Sequence, residues 1–234
     1  MKRQDPAFSA RMSGWESAAA IGYLPVHVYL LPQLLAKSGA ADRLNAVTFN
    51  LICYFTAAFV LFFCLRRFLF REFDSFCDRG GAALIEVAKA YGLLLLCNLA
   101  VNLALMALRF TSNPNNDVIL SFAGNDFGRT AAMAVFLAPL AEECMFRGGV
   151  FGLLRRRSRL AAYAVSMLLF AVYHVWSFAL REPRAWMYLL QYLPAGFLLA
   201  RVYEKTDSLW TSIFLHMTVN GVSMLAVRQL GAYL

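Results

Sequence analysis

Long runs of apolar residues, separated by short polar connections, extend along almost the whole chain. A membrane-spanning helix needs about 20 predominantly apolar residues. Seven stretches approach that length: 17–36, 46–65, 81–109, 127–154, 159–180, 185–203 and 208–230. The pattern predicts an all-α fold, a polytopic transmembrane helical bundle with about seven membrane segments. We expect residues 1–234 to form a single integral membrane domain, with residues 1–16 as its polar N-terminus.

Two regions depart from this simple pattern. Segment 17–36 contains Pro25 and Pro32, so it either spans the membrane with a kink, re-enters it or lies at its interface. Residues 111–126 are polar and rich in turn-forming residues. We expect them to form the largest external loop.

The composition excludes an ordinary soluble domain. Hydrophobic residues make up 60% of the chain and charged residues 15%, whereas soluble domains are about 45–50% apolar and about 25% charged. The five cysteines are odd in number and contain no CxxC pair. This argues against a disulfide framework and against a zinc ribbon.

The basic residues divide unevenly between the two sides of the predicted bundle. Thirteen Lys and Arg residues fall on the side that includes the N-terminus and the arginine run 155–159, and seven fall on the opposite side. Positive charge collects on the cytoplasmic side of membrane proteins, so we expect a cytoplasmic N-terminus. This topology accounts for the net charge of +8 without a nucleic-acid partner. The compact size and basic loops favour the bacterial inner (cytoplasmic) membrane.

A cluster of charged residues interrupts segment 127–154. Ionisable groups at this depth are costly and usually functional. Glu143 and Arg147 are four residues apart, with the acid first, which is the favourable order for an ion pair on a helix. Glu142 is rotated by about 100° from Glu143. The simplest interpretation is that Arg147 neutralises Glu143, while Glu142 faces a cavity and acts as a general base on water. The opposite assignment stays open, because Arg147 can also reach Glu142.

Two of the three histidines also fall inside apolar segments. His174 ends the sequence Phe170-Ala-Val-Tyr-His, and His216 lies four residues before Asn220. His216 and Asn220 therefore share a helix face, where paired donors can stabilise an oxyanion. Glu142 and His174 both lie about 20 Å from the same cytoplasmic loop, which is consistent with one pocket inside the membrane.

Other intramembrane polar residues have simpler interpretations. His27 lies in the weak first segment without a motif, and we interpret it as structural. Asn98 and Asn102 are four residues apart, and we expect them to form hydrogen bonds between helices.

The polar residues form three ordered motifs: EExxxR at 142–147, FxxxH at 170–174 and HxxxN at 216–220. Together they resemble the signature motifs of the CPBP family of intramembrane endopeptidases. This family includes type II CAAX prenyl proteases and bacteriocin-processing or self-immunity proteins. The resemblance covers residues 127–225, the expected catalytic core, while residues 1–110 match only as membrane helices.

The resemblance implies an endopeptidase whose site lies inside the membrane. Glu142 and His174 would activate water, and His216 with Asn220 would form the oxyanion site. Glu143 and Arg147 would support the site. The expected substrate is a membrane-associated protein or peptide, with or without a lipid modification. The lipid bilayer is the other expected partner.

Metal dependence and enzymatic activity each have an alternative at this stage. The chain has no HExxH motif, which favours a metal-free, glutamate-dependent mechanism over a zinc-dependent one. Glu142, His174 and His216 would be the ligands if zinc were used. A non-enzymatic membrane immunity or binding protein could use the same polar core. A proton-coupled transporter is disfavoured, because no inverted repeat is visible.

Overall fold

The computed structural model describes residues 8, 9 and 11–231, and these residues contain helices and connecting turns but no strand. The structure contains eight helices longer than ten residues in this part of the chain. They run over Gly14–Lys37 (α1), Ala46–Asp78 (α2), Gly80–Ala107 (α3), Pro114–Asn125 (α4), 127–155 (α5), Arg159–Ala179 (α6), Leu189–Thr206 (α7) and Leu209–Gly231 (α8). The predicted all-α fold class is confirmed. Lys2 and Arg3, which contribute to the predicted orientation, lie outside the described residues.

Five of the seven predicted segments form helices that are long and apolar enough to cross a membrane. These are α1, α2, α3, α6 and the 209–229 part of α8. The helical stretches α5 and α7 carry more charged residues and do not meet that criterion. Two of the charged side chains of α5, Glu143 and Arg147, pair inside the protein. The five apolar helices identify an integral membrane protein.

Three boundaries differ from those predicted. Helix α2 continues to Asp78, well beyond residue 65, and α7 begins at Leu189, after a 3₁₀ turn over Pro183–Tyr188. The turn-rich stretch 111–126, predicted to be the largest external loop, is mostly helical, over Pro114–Asn125. Asn113 caps this helix by accepting the backbone N–H of Asn115, and proline suits the first helical position. The Asn-Pro pair that signals a turn here begins a helix.

Helices α1 and α5 contain π-helical turns next to prolines. The π turns cover Val26–Leu30 in α1, and Met133–Leu137 and Cys144–Phe151 in α5. Pro32 and Pro139 each follow a π turn by two residues. A proline ring clashes with the carbonyl four residues earlier in a regular helix. The wider turn accommodates the ring, so α1 remains one continuous helix rather than a broken one. Such turns are common at functional sites.

Helix α5 lies in the core and is enclosed by its neighbours around residues 141–152, all of which are buried. Glycines allow the close approach. A Cβ on Gly149 would lie 3.1 Å from the Ala20 side chain of α1, and a Cβ on Gly196 of α7 would lie 3.1 Å from the Met167 Cα of α6. The first contact fixes α1 against α5, and the second fixes α7 against α6.

The segment before α1 packs against the end of the bundle that carries the arginine run. Phe8 and Met12 are buried, and the Phe8 ring makes edge contacts with Phe151 and Tyr203. Nearby, Glu204 accepts hydrogen bonds from Arg155, Arg159 and Tyr163. Phe8 and Met12 therefore help to close this end of the bundle, although they lie in the N-terminal stretch for which the sequence predicts only polarity.

We predict that Gly196→Ala destabilises the protein by about 1–3 kcal/mol, because the new methyl group would meet Met167 backbone atoms that cannot move independently of α6. Thermal unfolding in detergent measures this. Gly92→Ala is the matched control, since nothing lies within 4 Å of a Cβ there, and we expect it to be neutral or stabilising by about 0.5–1 kcal/mol. Equal effects of the two substitutions would contradict the close packing of α6 and α7.

Candidate active site

Glu143 is the most connected side chain at the centre of the bundle. It is fully buried, and its Oε1 accepts Arg147 Nη1 at 3.1 Å and His216 Nδ1 at 2.8 Å. Its Oε2 accepts the Ser212 hydroxyl at 2.6 Å. One carboxylate thus connects two positions of α5 to two positions of α8. Of the two assignments left open by helical spacing, the structure has the one that pairs Arg147 with Glu143.

Arg147 is fully buried and held on three sides. Besides Glu143, its Nη2 donates to the Gly196 carbonyl of α7 at 3.2 Å. Its guanidinium carbon lies 4.2 Å from the centre of the Phe170 ring of α6, the distance of a cation–π contact. The charge is therefore matched by a carboxylate, a carbonyl and a ring face, which offsets the cost of burying it.

The histidines each use one ring nitrogen to hold their orientation. A carbonyl can only accept, so His174 Nδ1 donates to the Phe170 carbonyl at 2.8 Å. His216 Nδ1 donates in the same way to the Glu143 carboxylate. In both rings Nε2 is left to face the pocket. The Tyr192 ring stacks on His174, with centroids 4.5 Å apart and planes inclined by 19°.

Glu142 faces both free histidine nitrogens. Its Oε2 lies 3.7 Å from His174 Nε2 and 3.9 Å from His216 Nε2. This oxygen is buried and makes no hydrogen bond to any residue that the structure describes, whereas Oε1 accepts the Tyr54 hydroxyl at 3.3 Å. Distances of 3.7 and 3.9 Å exceed a direct hydrogen bond. They match polar groups that share one small bridging ligand.

Asn220 lies one helical turn after His216 and borders the same space. Its Nδ2 donates to the Ala134 carbonyl at 2.8 Å, and Ala134 belongs to the first π turn of α5. An amide nitrogen carries two hydrogens, so one remains for another acceptor. The π turn thus holds Asn220 by a backbone carbonyl while leaving a donor beside His216.

Two cavities meet at His174, His216 and Asn220. One, of about 230 Å³, has a mixed lining that combines the amides of Asn98, Asn102, Asn113 and Gln191 with the apolar side chains of Leu94, Ala195, Leu199 and Val219. The other, of about 360 Å³, includes Glu142 and has an apolar wall made by Ile119, Leu120, Met133, Ala138, Met224 and Val227. The cluster of Glu142 and the two histidines therefore lies between a chamber of mixed polarity and a more apolar one.

Several contacts at the site lack a sequence signal. Tyr54, Ser212 and Gln191 are single polar residues in apolar or mixed helices, and none belongs to a motif. Gln191 Nε2 donates to Asn102 Oδ1 at 2.6 Å, which agrees with the predicted interhelical role of Asn102. Tyr173 precedes His174 in its motif, yet its hydroxyl contacts Tyr54 and His27, as discussed below.

Glu142, His174 and His216 have side chains of the types that bind zinc, but the spacing of their donor atoms fits a zinc ion less well. One carboxylate and two imidazoles are suitable ligands, and both rings are oriented by acceptors on Nδ1, as in many metal sites. Donor atoms on a tetrahedral zinc lie about 3.4 Å apart, less than the 3.7 and 3.9 Å found here. In residues 8–231 as described, no group of three His, Cys, Asp or Glu side chains has the spacing of a metal site.

Comparisons with known proteins agree with the motifs. Residues 126–222 match the family described as type II CAAX prenyl endopeptidase Rce1-like. Over 97 residues the chain is 31% identical to the UPF0177 protein YxdF of Lactococcus lactis subsp. lactis (strain IL1403), a match that covers 42% of this chain and 49% of that protein. The chain thus spans about half the length of the curated relative that it matches. No solved structure matches significantly. The predicted family resemblance is confirmed over the matched region.

We predict that Glu143→Gln lowers stability by about 3–5 kcal/mol, because it leaves the buried Arg147 charge without its carboxylate. Chemical or thermal unfolding in detergent measures the loss. Glu86→Gln is the control, since Glu86 pairs with Lys89 and Lys205 at the end of α3. We expect it to cost about 1 kcal/mol or less. A Glu143→Gln protein as stable as the control would contradict the central role of this carboxylate.

Proposed function

We propose that the protein is an intramembrane endopeptidase that hydrolyses a peptide bond of a membrane-associated protein or peptide. One observation carries the proposal: the unpartnered Glu142 Oε2 lies between two histidine Nε2 atoms at 3.7 and 3.9 Å. A buried carboxylate oxygen without a protein donor is costly to maintain. A water molecule that is bound and activated there accounts for that cost.

In the proposed reaction, Glu142 and His174 hold the attacking water. His174 donates from Nδ1 to a carbonyl, so the neutral ring accepts at Nε2. The water oxygen bonds to the substrate carbonyl carbon as its proton moves to Glu142. When the C–N bond breaks, Glu142 returns this proton to the leaving amine. Atoms and charges balance without another reactant.

His216 and Asn220 stabilise the oxyanion in this proposal. The Glu143 carboxylate accepts from His216 Nδ1 and so orients Nε2 towards the pocket, where the ring donates to the oxyanion in this proposal. Asn220 contributes the amide hydrogen that Ala134 leaves unused. Donors oriented in advance in this way stabilise charge that develops in the transition state.

The two cavities support a substrate that is more apolar on one side of the scissile bond than on the other. The apolar chamber of about 360 Å³ can hold a lipid chain or large aliphatic side chains, whereas the chamber of about 230 Å³ offers amides to an extended peptide. The matched family description, a CAAX prenyl endopeptidase, is compatible with a lipidated substrate. We place the protein in a bacterial inner membrane with a cytoplasmic N-terminus, as the charge distribution predicts.

We predict that Glu142→Gln lowers the cleavage rate by about 10²- to 10⁴-fold, because glutamine cannot accept the water proton. Quantitative proteomics of membrane-protein termini, with wild type and the variant expressed in the same host, measures this and names the substrate. The residues on one side of each new cleavage point should be more apolar than those on the other side. Glu86→Gln is the control and should cleave like wild type. The non-enzymatic immunity role would be supported instead if wild type and Glu142→Gln gave identical termini and the variant still protected its host as an immunity protein does.

We predict that cleavage by the purified protein survives exhaustive treatment with a zinc chelator, because the proposed base is Glu142 itself. Activity is measured before and after chelation, and metal content is determined on the same sample. Loss of activity that stoichiometric zinc restores would replace this mechanism by one in which Glu142, His174 and His216 hold the metal. Zinc would then supply a Lewis acid that lowers the pKa of bound water.

A further inference from the structure

The carboxylate of Glu142 is connected to α1 by a continuous chain of hydrogen bonds. Tyr54 of α2 donates to Glu142 Oε1 at 3.3 Å, and the hydroxyls of Tyr54 and Tyr173 are 2.9 Å apart. The Tyr173 hydroxyl lies 3.1 Å from His27 Nε2. The chain therefore joins α1, α2 and α6 to the candidate catalytic residue on α5.

The number of available hydrogens determines the direction of this chain. A tyrosine hydroxyl has one hydrogen, and Tyr54 directs its hydrogen to the Glu142 carboxylate. Tyr54 must then accept from Tyr173, which leaves Tyr173 to accept from His27. His27 is therefore the donor, with its hydrogen on Nε2. Its Nδ1 is buried and has no hydrogen-bond partner of normal geometry within the described residues.

The position of His27 suits this role. It is 6% exposed and belongs to the π turn Val26–Leu30 of α1, which contacts α2. Its ring makes an edge contact with the Tyr54 ring, with centroids 4.8 Å apart. The contact of Ala20 with Gly149 fixes α1 against α5 on the same side. A histidine that served only to fill space would not require two buried hydroxyls aligned between it and the carboxylate.

We propose that His27, acting through Tyr173 and Tyr54, is a positioning residue for Glu142, a role that rests on the proposed function. The chain directs one hydrogen at Oε1. It thereby holds the carboxylate plane so that Oε2 faces His174 and His216. His27 and Tyr54 lie outside the matched residues 126–222. The N-terminal helices of the protein thus contribute to the site, in addition to enclosing it.

The test compares His27→Leu with His27→Gln, because glutamine retains an N–H donor near the position of Nε2 and leucine does not. We expect His27→Leu, Tyr173→Phe and Tyr54→Phe each to lower kcat about tenfold, with KM changed less than twofold. His27→Gln should recover most of the loss. Tyr23→Phe, on the same helix but outside the chain, is the control and should match wild type. Equal losses in the leucine and glutamine variants would overturn the proposal, and so would losses confined to KM or to thermal stability.

A second measurement needs no substrate, so it separates this proposal from the proposed function. Nitrogen-15 NMR of the full chain reports which ring nitrogen of His27 carries hydrogen. We expect hydrogen on Nε2 in wild type and a shift towards Nδ1 in Tyr54→Phe, because Tyr173 is then free to donate to the ring. If Tyr54→Phe leaves the His27 tautomer unchanged, the hydrogen bonds of His27 and Tyr54 are not coupled through Tyr173. If wild type cleaves nothing while the His27 tautomer shifts in Tyr54→Phe, the proposed function fails, but the hydrogen-bonded connection from His27 to Glu142 is supported.

Discussion

The structure depends on the buried carboxylate of Glu143. A charge at this depth is tolerated only when several partners replace the water that it loses. Glu143 has three: the Arg147 guanidinium, the Ser212 hydroxyl and the His216 ring. Each partner then acquires a second contact, and Arg147 extends the network to the Gly196 carbonyl on α7. The relative positions of α5, α7 and α8 follow from satisfying this single group.

Close helix approach is a condition for that network. Arg147 reaches the Gly196 carbonyl because α7 lies against α6 at a glycine, where a side chain would meet the Met167 backbone. The π turn at Met133–Leu137 makes the Ala134 carbonyl available to Asn220. Backbone irregularity in a membrane protein is costly unless the freed groups find new partners. Here the partner is Asn220, a side chain of the candidate site. The π turn that distorts α5 therefore also holds Asn220 in position.

The parts of the fold that helical periodicity controls are predictable from sequence, and those that depend on contacts between distant segments are not. The four-residue spacing of Glu143 and Arg147 predicts their ion pair, and the apolar runs predict the long helices. Tyr54 gives no comparable signal, since single tyrosines are common in apolar helices and their spacing does not identify the residue that they contact. The helix at Pro114–Asn125 is missed because an Asn-Pro pair favours both turns and helix starts. Phe8 and Met12 are missed because their polar neighbours hide them.

The two adjacent glutamates differ because their surroundings supply different numbers of donors. Glu143 is surrounded by an arginine, a hydroxyl and a histidine N–H, whereas Glu142 receives one tyrosine hydroxyl and keeps one oxygen unpartnered. A carboxylate whose oxygens are all engaged holds its neighbours in place and has little capacity to accept another proton. One with a free oxygen can bind and activate water. Because one residue of helical rotation separates them, the same helix places Glu143 towards α8 and Glu142 towards the cavity of about 360 Å³. In the proposed function, structural support and chemistry are thereby divided between neighbouring positions of a single motif.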